Sequence, residues 1–343
     1  MSSIIATAPL ESIPWPTLDP FLFCAHHKDA YPQGNDHLAP VASLEGRQIG
    51  NDFSGKDGWS MYHGDSIPGF PQHPHRGFET ITIARSGFID HSDSLGAAAR
   101  FGKGDVQWMT AGKGIVHSEM FPLLDQENGN PAELFQIWLN LPMKNKMAQP
   151  YFSMYWNETI PRVDIVDPAG KRTEILVYAG EIPGARGVVP PPDSWAASPE
   201  SDIKILTIRM EAGASWTLPP ARPGSNRVIY FFKGNRATIA GTDTTVGTAV
   251  QLVPESDASI QAGSEPCEIL LLQGRPIGEP VARYGPFVMN TQQEIQQAFD
   301  DYRLTSFGGW PWKEDAPVHD KAQGRFARHA DGHVETPSGA ALI

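Results

Sequence analysis

The chain has 343 residues, 40% of them apolar and 10% aromatic, enough to bury a sizeable core and to exclude a disordered polymer. A formal charge of −12, with no basic patch to offset it, excludes a protein built to grip a nucleic-acid backbone. The 31 prolines and 33 glycines predict short strands joined by tight turns, and the length admits two domains.

Residues 1–50 read as irregular, punctuated by Pro14, Pro16, Pro20 and Pro32. The apolar run Ile4 to Leu10 is broken by Thr7 and Pro9, and no basic residue precedes Lys28. A secretory leader is therefore not expected. No stretch reaches the length of a membrane span, and a cytoplasmic protein is the expectation. Cys24 and Cys267 stand far apart in no metal-binding spacing; they suit a reducing compartment and pack as small hydrophobes. Adjacent His26 and His27 would point to opposite faces of a strand, so both cannot bind one metal. Trp59 to Pro71 reads as a loop, with His63 at the surface or just outside a site.

The stretch from Pro71 to Met120 carries the chemistry. His73-Pro74-His75 is followed by Glu79, and His117-Ser118-Glu119 comes after the turn Ala111-Gly112-Lys113-Gly114. Side chains at i and i+2 of a strand share a face, so each pair presents two ligand-type groups in one direction. Two such strands side by side would gather three imidazoles and one carboxylate around a point, a metal site with room for water, oxygen or substrate. Glu79 continues the same-face series, as a further ligand or as an acceptor that orients a histidine ring. Phe78 to Asp90 reads as two strands around the turn Arg85-Ser86-Gly87. His91 to Gly96 reads as a polar turn, Val106 to Thr110 as a strand whose Trp108 and Met109 are core, and Glu133 to Leu141 as the closing strand. Short strands at this spacing predict an all-β sandwich or barrel.

After a linker near Met143 to Pro161, short strands resume at Ile175–Ala179, Ile203–Met210, Val228–Phe232, Ala249–Val253 and Glu268–Leu272. Val228 to Gly234 echoes Ile81 to Gly87, and Val250-Gln251 echoes Val106-Gln107. In that alignment the metal positions fall near Pro220 and Arg222, and near Gln261 and Gly263. No histidine lies between Glu119 and Val318, so the second half has the shell without the ligands, and one metal per chain is expected. Thr291 and Glu294 form a capping box for a helix that docks through Ile295, Ala298, Phe299 and Tyr302. Beyond about Lys313 the chain reads as a polar tail without chemistry.

HPHRGFETITIARSGFIDHSDSLG, continuing to GDVQWMTAGKGIVHSEM, resembles the signature of the pirin family of bicupins. GPFVMNT at Gly285 to Thr291 resembles that family's C-terminal signature. The resemblance implies two tandem cupin barrels of jelly-roll type, at residues 1–150 and 151–290, with a helix and tail at 291–343. It implies a single mononuclear Fe(II), replaceable by other divalent transition metals, on His73, His75, His117 and Glu119. Glu79 matches no ligand and stays as an outer acceptor. The segment from Cys24 to Gly69 and the tail beyond Trp312 are longer than is usual in the family. Two functions follow from the resemblance. One is a quercetin 2,3-dioxygenase-type opening of a flavonol- or catechol-like substrate by O₂, with Glu119 also taking the substrate proton. The other is a regulator, with a redox-sensitive iron, that docks on a partner protein. A monomer that contacts neither membrane nor nucleic acid is expected.

Overall fold

The computed structural model describes residues 3–11 and 13–337 and resolves into two compact units. One takes the chain up to Ala25, Ile137–Asn140 and Thr159–Gly278; the other takes His26–Gln136, Leu141–Glu158 and the chain from Glu279 onward. This partition differs from a boundary near residue 150. Ile4–Pro9 is a strand that pairs with Thr248–Leu252, so the N-terminus belongs with the later barrel. Phe21–Tyr31 is a strand as well, so the first fifty residues are more regular than their prolines suggest. Among the described residues no helix is long and apolar enough to cross a membrane.

Two large sheets build the histidine-bearing unit, beside the hairpin of Ala282–Tyr284 and Phe287–Met289. One runs in the order Val334–Glu335, Phe326–Arg328, Ala98–Gly102, Phe88–Asp93, Ile115–Met120, Gly69–His75. The other runs Tyr151–Tyr155, Asp105–Thr110, Phe78–Ser86, Asn130–Asn140, Phe21–Tyr31. Alternating residues from these strands, among them Ala84, Ile89, Ala99, Phe101, Phe152 and Met154, form one buried cluster. The tight turns need their glycines: Gly87 has φ 74°, and a Cβ there would press on the backbone of Ala132.

The other unit repeats the pattern in a seven-stranded and a four-stranded sheet, with Ile208, Ile229, Phe231, Val250, Ile260 and Leu271 in its core. The echo in sequence is an echo in pairing. Asn226–Lys233 pairs antiparallel with Thr248–Leu252, as Phe78–Ser86 pairs with Asp105–Thr110. Ser215–Leu218 pairs with Ala258–Ala262, as Gly69–His75 pairs with Ile115–Met120. Where the first unit sets histidines opposite each other, this one sets Trp216 opposite Ile260. The fold is therefore two tandem cupin domains, only one of which carries the histidines. Cys24 and Cys267 are free, buried thiols.

The C-terminal helix spans Gln292–Thr305 and starts at the expected capping box, with Thr291 Oγ1 accepting from Glu294 N. Its Ile295 and Ala298 pack on Ala282, Phe287 and Met289. The tail departs from expectation. Phe326–Arg328 adds to the edge of Ala98–Gly102, and Val334–Glu335 pairs with it in turn. The rest is bolted down by Arg100, whose five guanidinium N–H groups are all used. Nε and Nη2 reach Asp90 at 2.7 Å, and the remaining hydrogens reach the carbonyls of His319, Asp320 and Gln323 at 2.8–2.9 Å. His319 N also donates to Asp90 Oδ2. Polarity misled the sequence reading because these carbonyls and one buried arginine hold the tail, not an apolar stripe.

Removing the arginine strands a buried carboxylate and three carbonyls. Arg100→Met is expected to lower unfolding stability by about 3–5 kcal/mol, the cost of breaking one side of a buried pair. Urea denaturation measures that loss, and limited proteolysis should show new cleavage near residues 319–328. Unchanged stability with a protected tail would refute the clamp.

Candidate metal centre

Register builds the site. His73 lies directly opposite His117 on antiparallel neighbours, and His75 opposite Ile115. Between Phe70 and His73 the strand carries a bulge: three steps there match the two from Glu119 to His117. Bulges beside functional sites re-aim side chains. Here the bulge sets Phe70 opposite Glu119 and His73 opposite His117, so all four residues belong to one face.

Nitrogens of His73, His75 and His117 all lie within 4.8 Å of one another. His75 and His117 are buried, and His73 is half-buried on the open side. The ring of His73 is 4.8 Å from that of His75 and 4.4 Å from that of His117. Burial and the neighbouring imidazoles push all three pKa values down, His73 to about 4 and the other two well below the usual histidine range. Neutral imidazoles are what a metal needs, since a protonated nitrogen has no lone pair to give.

Backbone carbonyls set the tautomers. His73 Nδ1 lies 2.8 Å from Pro71 O, which can only accept, so the proton sits on Nδ1 and the lone pair on Nε2. His75 Nδ1 faces Pro286 O at 3.4 Å. That carbonyl comes from the GPFVMNT segment, which is zipped to the metal strand by Arg76 N to Pro286 O and Val288 N to Arg76 O. Neither ring nitrogen of fully buried His117 has a hydrogen-bond partner. A buried polar group left unpaired costs about 1–3 kcal/mol, which a cation bound by the three lone pairs would relieve. The residues fit a divalent metal.

Glu119 stands at the edge of this cluster, its Oε2 4.0 Å from His117 Nε2, but lies outside the set of mutually close ligand atoms. Its Oε1 meets the Thr82 hydroxyl at 3.0 Å, and burial pushes its pKa up. Thr82 Oγ1 also lies 2.6 Å from Gln136 Oε1. One hydroxyl proton cannot serve two acceptors. Either the Gln136 amide turns its nitrogen toward Thr82, or Glu119 carries a proton. Glu79 is fully buried on the neighbouring sheet and accepts from Thr110 Oγ1 at 2.6 Å.

His91 is the residue the sequence reading misplaced. Rather than opening a turn, it lies inside Phe88–Asp93, fully buried, opposite Glu119. Its ring stacks on Phe152 and stands 5.5 Å from that of His117, and its Nε2 is 3.1 Å from Asp93 Oδ2. The polar run looked like a turn because Asp93 does start one, its Oδ1 accepting from Leu95 N and Ala97 N. The signal available was the alternation Ile89, His91, Asp93. Gln107, opposite Thr82, has both amide atoms buried and unpaired. His26 goes to Glu133 and His27 to Tyr62, as their opposed directions require.

Residues 15–139 match the pirin family and residues 205–308 its C-terminal cupin domain. The chain belongs to the pirin family. A Pseudomonas aeruginosa protein provisionally named quercetin 2,3-dioxygenase is 36% identical over 241 residues, covering 70% of this chain and 79% of its own. A pirin-like protein of Solanum lycopersicum is 36% identical over 243 residues, covering 70% and 77%. The solved structure of a quercetin 2,3-dioxygenase from Acinetobacter baumannii superposes with a TM-score of 0.70 at 27% identity, over 90% of this chain and 99% of that one.

Loading the pirin-family chain with Fe(II) and removing excess should leave about one metal per chain, because imidazole ligands occur in one unit only. His73→Ala, His75→Ala or His117→Ala should each strip most of it. Elemental analysis decides; two tightly held transition metals per chain would refute the single site.

Proposed function

We propose that this pirin-family protein is an Fe(II)-dependent, quercetin 2,3-dioxygenase-type enzyme that opens flavonol- or catechol-like rings with O₂. The observation that carries the reading is the convergence of three neutral imidazoles, two of them buried, beside one buried, proton-seeking carboxylate. The similarity to proteins bearing that activity in their names supports it. His73, His75 and His117, with Glu119 at their edge, would hold divalent iron, which would supply Lewis acidity and one-electron chemistry toward O₂.

The chain's own groups do the remaining work. His73, half-buried, faces the side from which a substrate enters, while His75 and His117 are held behind it. Glu119 Oε2, the oxygen nearer His117, takes the proton from a substrate hydroxyl; Oε1 stays engaged by Thr82. Burial raises the carboxylate's proton affinity and so favours this transfer. A carboxylate bound to a cation is a weaker base, so a metal held by Glu119 would oppose the rise in proton affinity that burial gives it. Gln107, with an unpaired donor and acceptor on the Thr82 face, offers hydrogen bonds to oxygens of a bound ligand. Glu79 acts as a buried acceptor behind the metal strands.

Anaerobic loading with Fe(II), addition of quercetin and admission of air should remove the flavonol absorbance. Metal binding with no loss of flavonol would leave the alternative, a redox-sensitive iron in a regulator that binds a partner protein.

Two substitutions separate the roles. Glu119→Gln is isosteric and keeps a ligand oxygen, so it should retain measurable iron yet lose flavonol oxidation by about 100-fold or more. Glu79→Gln should stay loaded but bind metal about 10- to 100-fold more weakly in a chelator competition. Near-parent turnover in Glu119→Gln would remove the base from the mechanism. Complete metal loss in Glu79→Gln would make that residue a ligand.

A further inference from the structure

The open side of the centre, beside His73, is walled by aromatic rings that the ligand set does not use. The bulge that sets His73 opposite His117 also sets Phe70 opposite Glu119, and the Phe70 ring lies 6.4 Å from that of His73. His63 meets Phe70 edge-on at 5.7 Å and Phe53 at 5.1 Å, and Phe53 stands 6.4 Å from Phe70. Phe53 is 53% exposed, a large apolar ring left to water at the outer end of this aromatic row.

The back of this wall is fixed. Tyr62 stacks on Phe70 at 5.1 Å and 24°. Its hydroxyl donates to Asp29 Oδ2 at 2.8 Å and receives from His27 Nδ1 at 2.9 Å, while Asp29 Oδ1 accepts from Ser60 N. Tyr62 also holds a left-handed backbone, φ 57°, which its buried partners stabilise. The front carries one polar group of known sense. His63 Nδ1 lies 2.8 Å from the carbonyl of Gly50, so Nδ1 bears the proton and Nε2 is left as an acceptor on an exposed side chain.

Aromatic surface with a hydrogen-bond acceptor selects the ligand class. Against the neutral ring, a carboxylate or phosphate would set one acceptor against another, and a bare hydrocarbon would leave Nε2 unused. A phenol satisfies both features. We propose that Phe53, His63 and Phe70 form the recognition wall for a planar polyphenol, whose ring packs on the phenylalanines and whose hydroxyl donates to His63 Nε2. The proposal rests on the reading above for the ligand's position beside the metal, and not on turnover.

The test is equilibrium binding of quercetin to the full chain loaded with redox-inert Zn(II), by anaerobic calorimetry, with metal content checked for each variant. Phe53→Ala and His63→Phe should each weaken quercetin about 5- to 10-fold, the scale of one lost aromatic contact or hydrogen bond, without losing metal. His63→Phe keeps a ring, so it should leave the affinity for unhydroxylated flavone unchanged. Variant affinities within about twofold of the parent, or no quercetin binding by the parent, would overturn the wall. The two readings fail separately. If the parent binds quercetin, the variants bind it weakly, and the iron form does not consume it, the wall stands and the dioxygenase falls. If the iron form consumes quercetin and the variants bind it undiminished, the wall falls and the dioxygenase stands.

Discussion

The metal centre depends on one register, His73 opposite His117, with a bulge just before it. In an unbroken strand, Phe70 and His73 would point to opposite faces, being an odd number of residues apart. The extra residue brings them to the same face as Glu119. A one-residue slip would turn the histidines of one strand to the opposite face of the sheet from those of the other. Register is therefore over-determined from both sides: the His117 strand also pairs with Phe88–Asp93, which places Asp93 opposite His117 and His91 opposite Glu119.

Several carbonyls do what carboxylates do in many other metal sites. The chain orients His73 with Pro71 O and offers Pro286 O to His75. Neither adds charge, so the imidazoles keep their proton arrangement without turning the interior more negative. The use of Pro286 explains why the second signature, which contains no ligand-type side chain, belongs to the site at all. It docks by main-chain bonds on both sides of Arg76, and the Arg76 guanidinium reaches Asp301 on the C-terminal helix at 2.7 Å. Helix, signature segment and metal strand are one mechanical unit.

What the sequence made legible follows from how locally each feature is encoded. The His73–His75 pair at i, i+2, the capping box at Thr291 and Glu294, and glycine turns are written in a few adjacent residues and are present as read, whereas Glu119 stands outside the close set that His117 joins. The second barrel's lack of histidine is a gap in the sequence between Glu119 and Val318. Features that need distant partners were not visible. His91 is covered by Phe152, which stacks on it from another sheet, and the tail is held by Arg100, which collects its carbonyls, and by the strand Phe326–Arg328. Likewise Ile4–Pro9 finds its strand some 240 residues away, which no local pattern announces.

The cavity itself is costly to maintain. His117 with two unpaired nitrogens, Gln107 with two unpaired amide atoms and His91 with an unpaired Nδ1 are buried close to one another in the two sheets. Each such group costs on the order of 1–3 kcal/mol, so together they would distort a soft interior. The surrounding shell does not yield, because it is closed by interactions that leave little unsatisfied: the Arg100–Asp90 pair, the carbonyls around it, and buried Lys146 on the carbonyls of Gly77 and Val288. Part of the unpaired polarity of the described residues therefore lies where a metal and an oxygen-bearing ligand can satisfy it. Binding there relieves the folded state of an internal cost that the unfolded chain, solvated by water, does not bear. Ligand affinity and fold stability are thus linked through the same few atoms.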